Sequence, residues 1–185
     1  MPGGEKEIET LEKPFCRFCS IFKGEWLRRR NLSSRAFILL ALLVFAVDRL
    51  SKLWIMWRFL PGESLALIPN IFYLTYILNP GAAFGILPYK TSFFVVATFL
   101  MILLIVFSGY FLDKRYALFR LALALQLGGA LGNLYDRLKT GYVVDFLDFR
   151  VWPVFNLADT AIVAGILLMF LNLLCNTSFF IGNKR

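Results

Sequence analysis

Four aspartates within one short stretch of the chain could carry out acid–base chemistry: Asp136, Asp145, Asp148 and Asp159. They lie between two long apolar segments, at or inside a bilayer, where ionised side chains are costly and usually functional. Two carboxylates held close together cannot easily both ionise, so one of them keeps a proton. Such a pair can activate water as a general base and protonate a leaving amine as a general acid. Spacing alone does not choose the pair among the four.

The residue types exclude several other chemistries. The chain has no histidine, which removes Ser-His-Asp and Cys-His mechanisms and any histidine-ligated metal. Cys16, Cys19 and Cys175 cannot form a disulfide framework, and a single C-x-x-C without a second ligand pair is weak evidence for zinc. We therefore expect no metal and no cofactor, and interpret these cysteines as thiols without a catalytic task.

Composition predicts a polytopic membrane protein with one domain. The 185 residues are 59% hydrophobic and 17% charged, with a mean hydropathy of +0.69, which is too apolar for an ordinary soluble domain. The net charge of +8 comes from basic residues beside apolar segments, as membrane orientation requires, so we expect no nucleic-acid partner. Residues 1–35 lack the features of a removable secretory signal. We expect cytoplasmic tails over residues 1–35 and 176–185 and a membrane domain over residues 36–175.

The elements that must position the aspartates are four predicted membrane helices. Residues 58–90 are punctuated by proline and glycine and rich in β-branched and aromatic residues, which favours strands. Residues 138–154 carry aromatic residues among charges after Gly141, which indicates a segment at the membrane interface. The predicted fold is an all-α membrane protein with four transmembrane helices, a small extracytoplasmic β-rich segment and an interfacial segment. The four spans cover about residues 36–57, 91–112, 116–135 and 155–175.

Two groups of residues inside the spans have helical spacing. Asp48 and Lys52 are four apart, so they share a helix face and can pair; a packing ion pair and a direct substrate role both remain open. Small residues at the same spacing allow helices to approach closely in lipid. Asp136 and Arg137 could form a clamp at a helix end, and Asp148 could be an ordinary solvated charge. In the third span, Gly128, Gly132 and Asp136 form one row at this four-residue spacing, and Gly129, Asn133 and Arg137 form the row beside it.

The distribution of lysine and arginine predicts the orientation. They are concentrated before the first span, between the second and third spans, and at the end of the chain, which places both termini in the cytoplasm. Asp145 then lies on the outer side, Asp136 ends an outward helix and Asp159 begins an inward one. These acids converge at the outer membrane surface, beside the NPGAAFG string of residues 79–85. Because a helix N-terminus favours an anion, we expect Asp159 to be ionised and Asp145 to hold the proton.

Five sequence blocks together resemble the lipoprotein signal peptidases, also called signal peptidase II. The blocks occur in the order of that family and cover the chain from about residue 36 to residue 175. Five separate blocks are far more specific than any one of them. They are DRLSK at 48–52, NPGAAFG at 79–85, GGALGNLYDR at 128–137, GYVVDF at 141–146 and FNLADT at 155–160.

The resemblance implies a four-span intramembrane aspartic peptidase of the bacterial cytoplasmic membrane. The family removes signal peptides from diacylglyceryl-modified prolipoproteins, cutting before the lipid-bearing cysteine. It implies Asp145 and Asp159 as the catalytic pair, with Asn79 and Arg137 in contact with substrate. It also implies a monomer in contact with membrane lipid and inhibited by globomycin-type peptides. The positions that would support the site are Asp48, Lys52, Gly81, Gly129, Asn133, Asp136, Asn156 and Ala158.

Two other functions could use the same aspartates. A small membrane transporter or channel subunit could use the acids for protons or cations, although acids gathered at one membrane face argue against a conducting path. A noncatalytic assembly protein would need the acids only for expression. One departure from the family pattern is Arg49, which stands where the family more often has a neutral amide.

Overall fold

The computed structural model describes residues 32–81, 90–114 and 116–182, with side chains up to residue 174. In these ranges the chain forms four helices and three strands. The expectations for Cys16, Cys19, the side chain of Cys175 and most of the tail at residues 1–35 lie outside the described part, as does most of the string at 79–85. In chain order the elements are α1 (Ser34–Arg58), β1 (Ser64–Ile68), β2 (Phe72–Asn79), α2 (Thr91–Phe111), α3 (Ala117–Thr140), β3 (Val143–Asp148) and α4 (Leu157–Gly182).

Local sequence explains where the helices begin and end. The Ser33 side chain caps α1 by accepting a hydrogen bond from the Ala36 amide at 3.2 Å, which satisfies a backbone donor that has no partner within the helix. Gly141 ends α3 in the left-handed conformation, with φ of 81°, where glycine carries no steric cost. Gly141 therefore marks the end of α3.

Among the described residues, three helices are long and apolar enough to cross a membrane: Thr91–Phe111, Ala117–Thr140 and Leu157–Leu174. Their mean hydropathies are 2.5, 1.3 and 2.1. Helix α1 has 25 residues but is not among them, because Asp48, Arg49 and Lys52 interrupt its apolar sequence. The predicted helical fold with a small sheet is confirmed, with three candidate membrane spans among the described residues where four were predicted.

Helix α3 lies at the centre and contacts the other three helices. Glycines on two adjacent faces of α3 explain how closely α1 and α4 approach it. A Cβ at Gly128 would come within 2.5 Å of the Ala41 carbonyl oxygen on α1. A Cβ at Gly129 would collide with the Ala158 carbonyl oxygen on α4. The close helix packing predicted from the glycine spacing is thus present on both sides of α3.

The three strands form one antiparallel sheet in the order β1-β2-β3. Strands β1 and β2 confirm the strands predicted within residues 58–90. Strand β3 was not identified from the sequence, since it falls in the segment assigned to the membrane interface. Its pairing with β2 places Ile77 opposite Asp145 and Asn79 opposite Val143, with a register shift between Leu74 and Ile77.

A compact apolar cluster attaches the sheet to the helices. Ile55 and Phe59, at the end of α1, pack with Tyr76 from β2 and with Val144 and Phe146 from β3. All five residues are at most 7% exposed. The cluster holds β3 beside the C-terminal end of α3 and the N-terminal end of α4, where the site lies.

Candidate active site

Asp145 on β3 and Asp159 in the first turn of α4 are joined by one asparagine. The Asn156 side-chain amide donates to Asp145 Oδ1 at 2.6 Å. The Asn156 Oδ1 atom accepts a hydrogen bond from the Asp159 backbone amide at 2.9 Å, which caps α4. The two aspartates implied as the catalytic pair therefore lie in one hydrogen-bonded unit.

Asp145 is 2% exposed, and its second oxygen, Oδ2, accepts a hydrogen bond from the Asn79 side chain at 2.9 Å. Burial and then the negative charge of Asp159 raise the pKa of Asp145 to about 7. Hydrogen bonds from Asn79 and Asn156, together with the charge of Lys52, act in the opposite direction. A carboxyl with this pKa holds a proton in slightly acidic solution and can release it near neutrality.

Asp159 is held from the other side by α3. Its Oδ1 accepts a hydrogen bond from the Asn133 side-chain amide at 2.7 Å. The Asn133 Oδ1 atom in turn accepts from Lys52 Nζ at 2.9 Å and from the Asn156 amide at 3.2 Å. Asn133 and Asn156 thus connect the two carboxylates to a lysine on α1.

Lys52 belongs to a buried cluster of two acids and two bases. Its Nζ lies 2.9 Å from Asp48 Oδ2 and 2.9 Å from Asp136 Oδ2, and Arg49 forms an ion pair with Asp136. Asp48 also accepts a hydrogen bond from the Ala158 amide of α4 at 3.0 Å. The predicted Asp48–Lys52 pair is confirmed. Removing either partner would leave a buried charge, so the cluster fixes α1 against α3 and α4.

Arg137 and Gly81 lie beside Asn79, at the rim of the candidate active site. The Arg137 guanidinium lies 3.4 Å from the Gly81 carbonyl oxygen and 5.0 Å from the centre of the Phe94 ring. The Gly81 amide donates to Asn79 Oδ1 at 3.0 Å, which orients the Asn79 side chain. Asn79 and Arg137 therefore both reach the space beside Asp145 and Asp159.

Asp148 is not a solvated charge, which was a possibility that the sequence left open. It is 4% exposed and accepts hydrogen bonds from Thr75 Oγ1 at 2.7 Å and from the Arg150 amide at 2.8 Å. The sheet buries Asp148 because β3 pairs with β2, a long-range contact that local sequence does not reveal. These donors compensate for its burial.

A cavity of about 990 Å³ lies beside the two carboxylates. Its polar end carries Asn79, Asn133, Arg137, Asp145 and Asp159. The remaining walls come from α2, α4 and residues 149–155 and are largely apolar; they include Phe94, Met101, Phe149, Trp152 and Leu167. Sequence reasoning did not assign the apolar residues of α2 and α4 to the site, because they resemble lipid-facing residues. An acid pair at the polar end of an apolar cavity suits acid–base hydrolysis of a substrate that is partly apolar.

Comparisons with known proteins agree with this geometry. A family model described as signal peptidase (SPase) II matches residues 40–175. The lipoprotein signal peptidase of Moorella thermoacetica is 57% identical over 138 residues, covering 75% of this chain and 92% of that protein. The lipoprotein signal peptidase of Pelotomaculum thermopropionicum is 53% identical over 134 residues, covering 72% and 87%.

Two solved structures described as a bacterial membrane enzyme share the fold. One has a TM-score of 0.76 at 33% identity and covers 84% of this chain and 95% of that one. The other has a TM-score of 0.72 at 33% identity and covers 78% and 96%. The chain therefore belongs to the signal peptidase II family, the lipoprotein signal peptidases. Family and apolar helices together make it a protease of the bacterial inner membrane. None of these matches supports the transporter reading.

Proposed function

We propose that the protein is an aspartic endopeptidase that removes signal peptides from diacylglyceryl-modified prolipoproteins, with Asp145 and Asp159 as the catalytic pair. The observation that carries this proposal is the single unit formed by the two carboxylates and Asn156 at the polar end of an apolar cavity. The bond cut is the one before the lipidated cysteine. The apolar walls would accommodate the signal peptide and the diacylglyceryl group.

The hydrogen bonds suggest a division of roles. Asp159, ionised, takes a proton from water while the resulting hydroxyl adds to the scissile carbonyl carbon. Asp145 gives its proton to the carbonyl oxygen, which forms a tetrahedral diol. When the C–N bond breaks, the proton on Asp159 moves to the leaving amine of the cysteine, and the diol returns a proton to Asp145. Asn79 and Arg137, at the rim, would hold the substrate backbone.

The proposed topology has four spans, with both termini in the cytoplasm and the site at the outer face. Helix α1 has 25 residues, which at 1.5 Å each is roughly 37 Å, long enough to cross a core of about 30 Å. Asp48 and Lys52 are fully buried and Arg49 is paired, so none of these charges has to face lipid unpaired. The enzyme would act as a monomer in contact with lipid, and a globomycin-type peptide would occupy the cavity.

The test is cleavage of a purified diacylglyceryl-prolipoprotein by the detergent-solubilised protein in the presence of EDTA. We expect cleavage before the lipidated cysteine, detected by mass spectrometry, and little or none of the same precursor without its lipid. Absence of cleavage by folded protein, together with proton or cation flux in vesicles, would contradict the proposal and favour a transporter. Equal cleavage of both precursors would contradict the role given to the diacylglyceryl group.

The dependence of cleavage on pH follows from the pKa of Asp145. Because its proton is required and its pKa is about 7, kcat/KM should fall as the pH rises through about 7. The Asn79 hydrogen bond lowers the pKa of Asp145, so Asn79→Ala should move this alkaline limb to higher pH. The measurement is kcat/KM between about pH 5 and pH 9. A flat profile, or a limb that moves to lower pH in the variant, would contradict the assignment.

A further inference from the structure

We propose that Lys52 is a positioning residue: because it can only donate hydrogen bonds, it fixes the orientation of the Asn133 amide, which holds Asp159 and bonds to the Asn156 amide that holds Asp145. This inference rests on the proposed function, because it concerns the same site. The residue lies on α1, outside the catalytic pair and the cavity wall. It acts on the site through a side-chain hydrogen bond to Asn133 and through its charge.

Lys52 is buried among oxygen atoms. An ammonium group has three hydrogens to donate and no acceptor. Lys52 is 0% exposed, and its Nζ lies 2.9 Å from each of three oxygens, on Asp48, Asp136 and Asn133. The contact with Asn133 is a hydrogen bond, and those with Asp48 and Asp136 are ion pairs. The atom of Asn133 that faces Lys52 must be its oxygen.

The contact with Lys52 determines the orientation of the Asn133 amide. With its oxygen towards Lys52, its NH₂ group faces Asp159 Oδ1 at 2.7 Å and donates to it. Turning the amide over would place two donors together at Lys52 and the carbonyl oxygen against the carboxylate. Asn133 is 5% exposed, so water could not easily relieve either contact. The lysine therefore selects one of the two amide orientations.

Asn133 in turn contacts Asn156. The Asn133 oxygen also accepts from the Asn156 amide at 3.2 Å, and the same NH₂ group donates to Asp145 Oδ1 at 2.6 Å. The Asn156 oxygen is then left to accept from the Asp159 backbone amide. Backbone groups hold Asn156 in the same orientation, because its NH₂ group also donates to the Val144 carbonyl oxygen at 3.3 Å. Lys52 therefore sets the orientation of Asn133, with which that of Asn156 agrees.

Lys52 also acts on Asp145 through its charge. Its positive charge lowers the pKa of Asp145, against the burial and the Asp159 charge that raise it. Removing Lys52 should therefore move the alkaline limb of the pH profile upward. The charged groups that interact with Asp145 are Lys52 from α1, Arg137 from α3 and Asp159 from α4.

The experiment must separate positioning from loss of a buried charge pair. Lys52→Met is therefore introduced together with Asp48→Asn, which leaves Asp136 paired with Arg49, and is compared with Asp48→Asn alone. We expect kcat to fall by about 100-fold, as for a small misplacement of reacting groups, while KM changes little. In an Asn133→Ala background, the same change at Lys52 should alter kcat by no more than about twofold, because the side chain that connects Lys52 to Asp159 is already absent.

Equal losses of kcat in the two backgrounds would overturn the proposal, as would a kcat unaffected by loss of Lys52. A measurement without substrate separates this result from failure of the proposed function: the side-chain ¹⁵N resonance of Asn133 in detergent, assigned with Asn133→Ala. We expect it to shift when Asp48→Asn/Lys52→Met replaces Asp48→Asn. An unchanged resonance would overturn the positioning role even if the enzyme cleaves no prolipoprotein.

Discussion

Asp145→Asn and Asp159→Asn should each reduce prolipoprotein cleavage by on the order of 10⁴-fold or more. Asparagine keeps the size and most of the hydrogen-bonding capacity of aspartate, but it cannot exchange a proton with water or with the leaving amine. Because both carboxylates act on one substrate, the double variant should be hardly worse than either single one. The measurement is single-turnover cleavage by purified, folded protein.

Asp148→Asn is the matched control for this experiment. Asp148 lies on the same strand as Asp145 and is 4% exposed, against 2% for Asp145, but it bonds to Thr75 and Arg150 rather than to the pair. Cleavage by this variant, per folded molecule, should stay within about tenfold of wild type. An Asp145→Asn variant that cleaves, or an equal loss in Asp148→Asn, would refute the assignment of the catalytic pair.

Asp136→Leu should destabilise the folded protein by about 3–5 kcal/mol, because it leaves buried cations without their shared anion. Asp136 is 4% exposed, lies 2.9 Å from Lys52 Nζ and forms an ion pair with Arg49. The free energy of unfolding can be followed in detergent by thermal or denaturant titration. The loss concerns stability rather than the chemical step.

Two further variants isolate the charge effect. Adding Arg49→Met to Asp136→Leu restores the balance between the one remaining acid, Asp48, and Lys52, so part of the lost stability should return. Glu63→Gln removes an acid from an exposed position outside the cluster and should change stability by less than about 0.5 kcal/mol. A double variant no more stable than Asp136→Leu would show that charge imbalance is not the cause.

The features that the sequence predicted correctly depend on short-range spacing or on motif. The four-residue separation of Asp48 and Lys52 determines their shared helix face, and the structure confirms the pair. The glycines of α3 predicted the close approach of α1 and α4. In contrast, spacing could not choose Asp145 and Asp159 among four aspartates. That choice came from the family resemblance.

The features that the sequence did not reveal depend on contacts between distant segments. The sequence did not show that Asn133 and Asn156 would meet, since they come from different helices and join only when α3 and α4 pack. The burial of Asp148 depends on β2, which is about seventy residues earlier in the chain. The apolar wall of the cavity could not be distinguished from residues that face lipid.

The register shift in β2 allows this one strand to donate side-chain hydrogen bonds to two acids of β3. Asp145 and Asp148 are three residues apart, so they would point to opposite faces of a regular strand. Their donors on β2, Asn79 and Thr75, are four apart and would share a face. One extra residue between Leu74 and Ile77 reconciles the two spacings. Deleting it would turn the side chains on one side of the deletion to the opposite face of the sheet, so that only one of the two acids could keep its partner on β2.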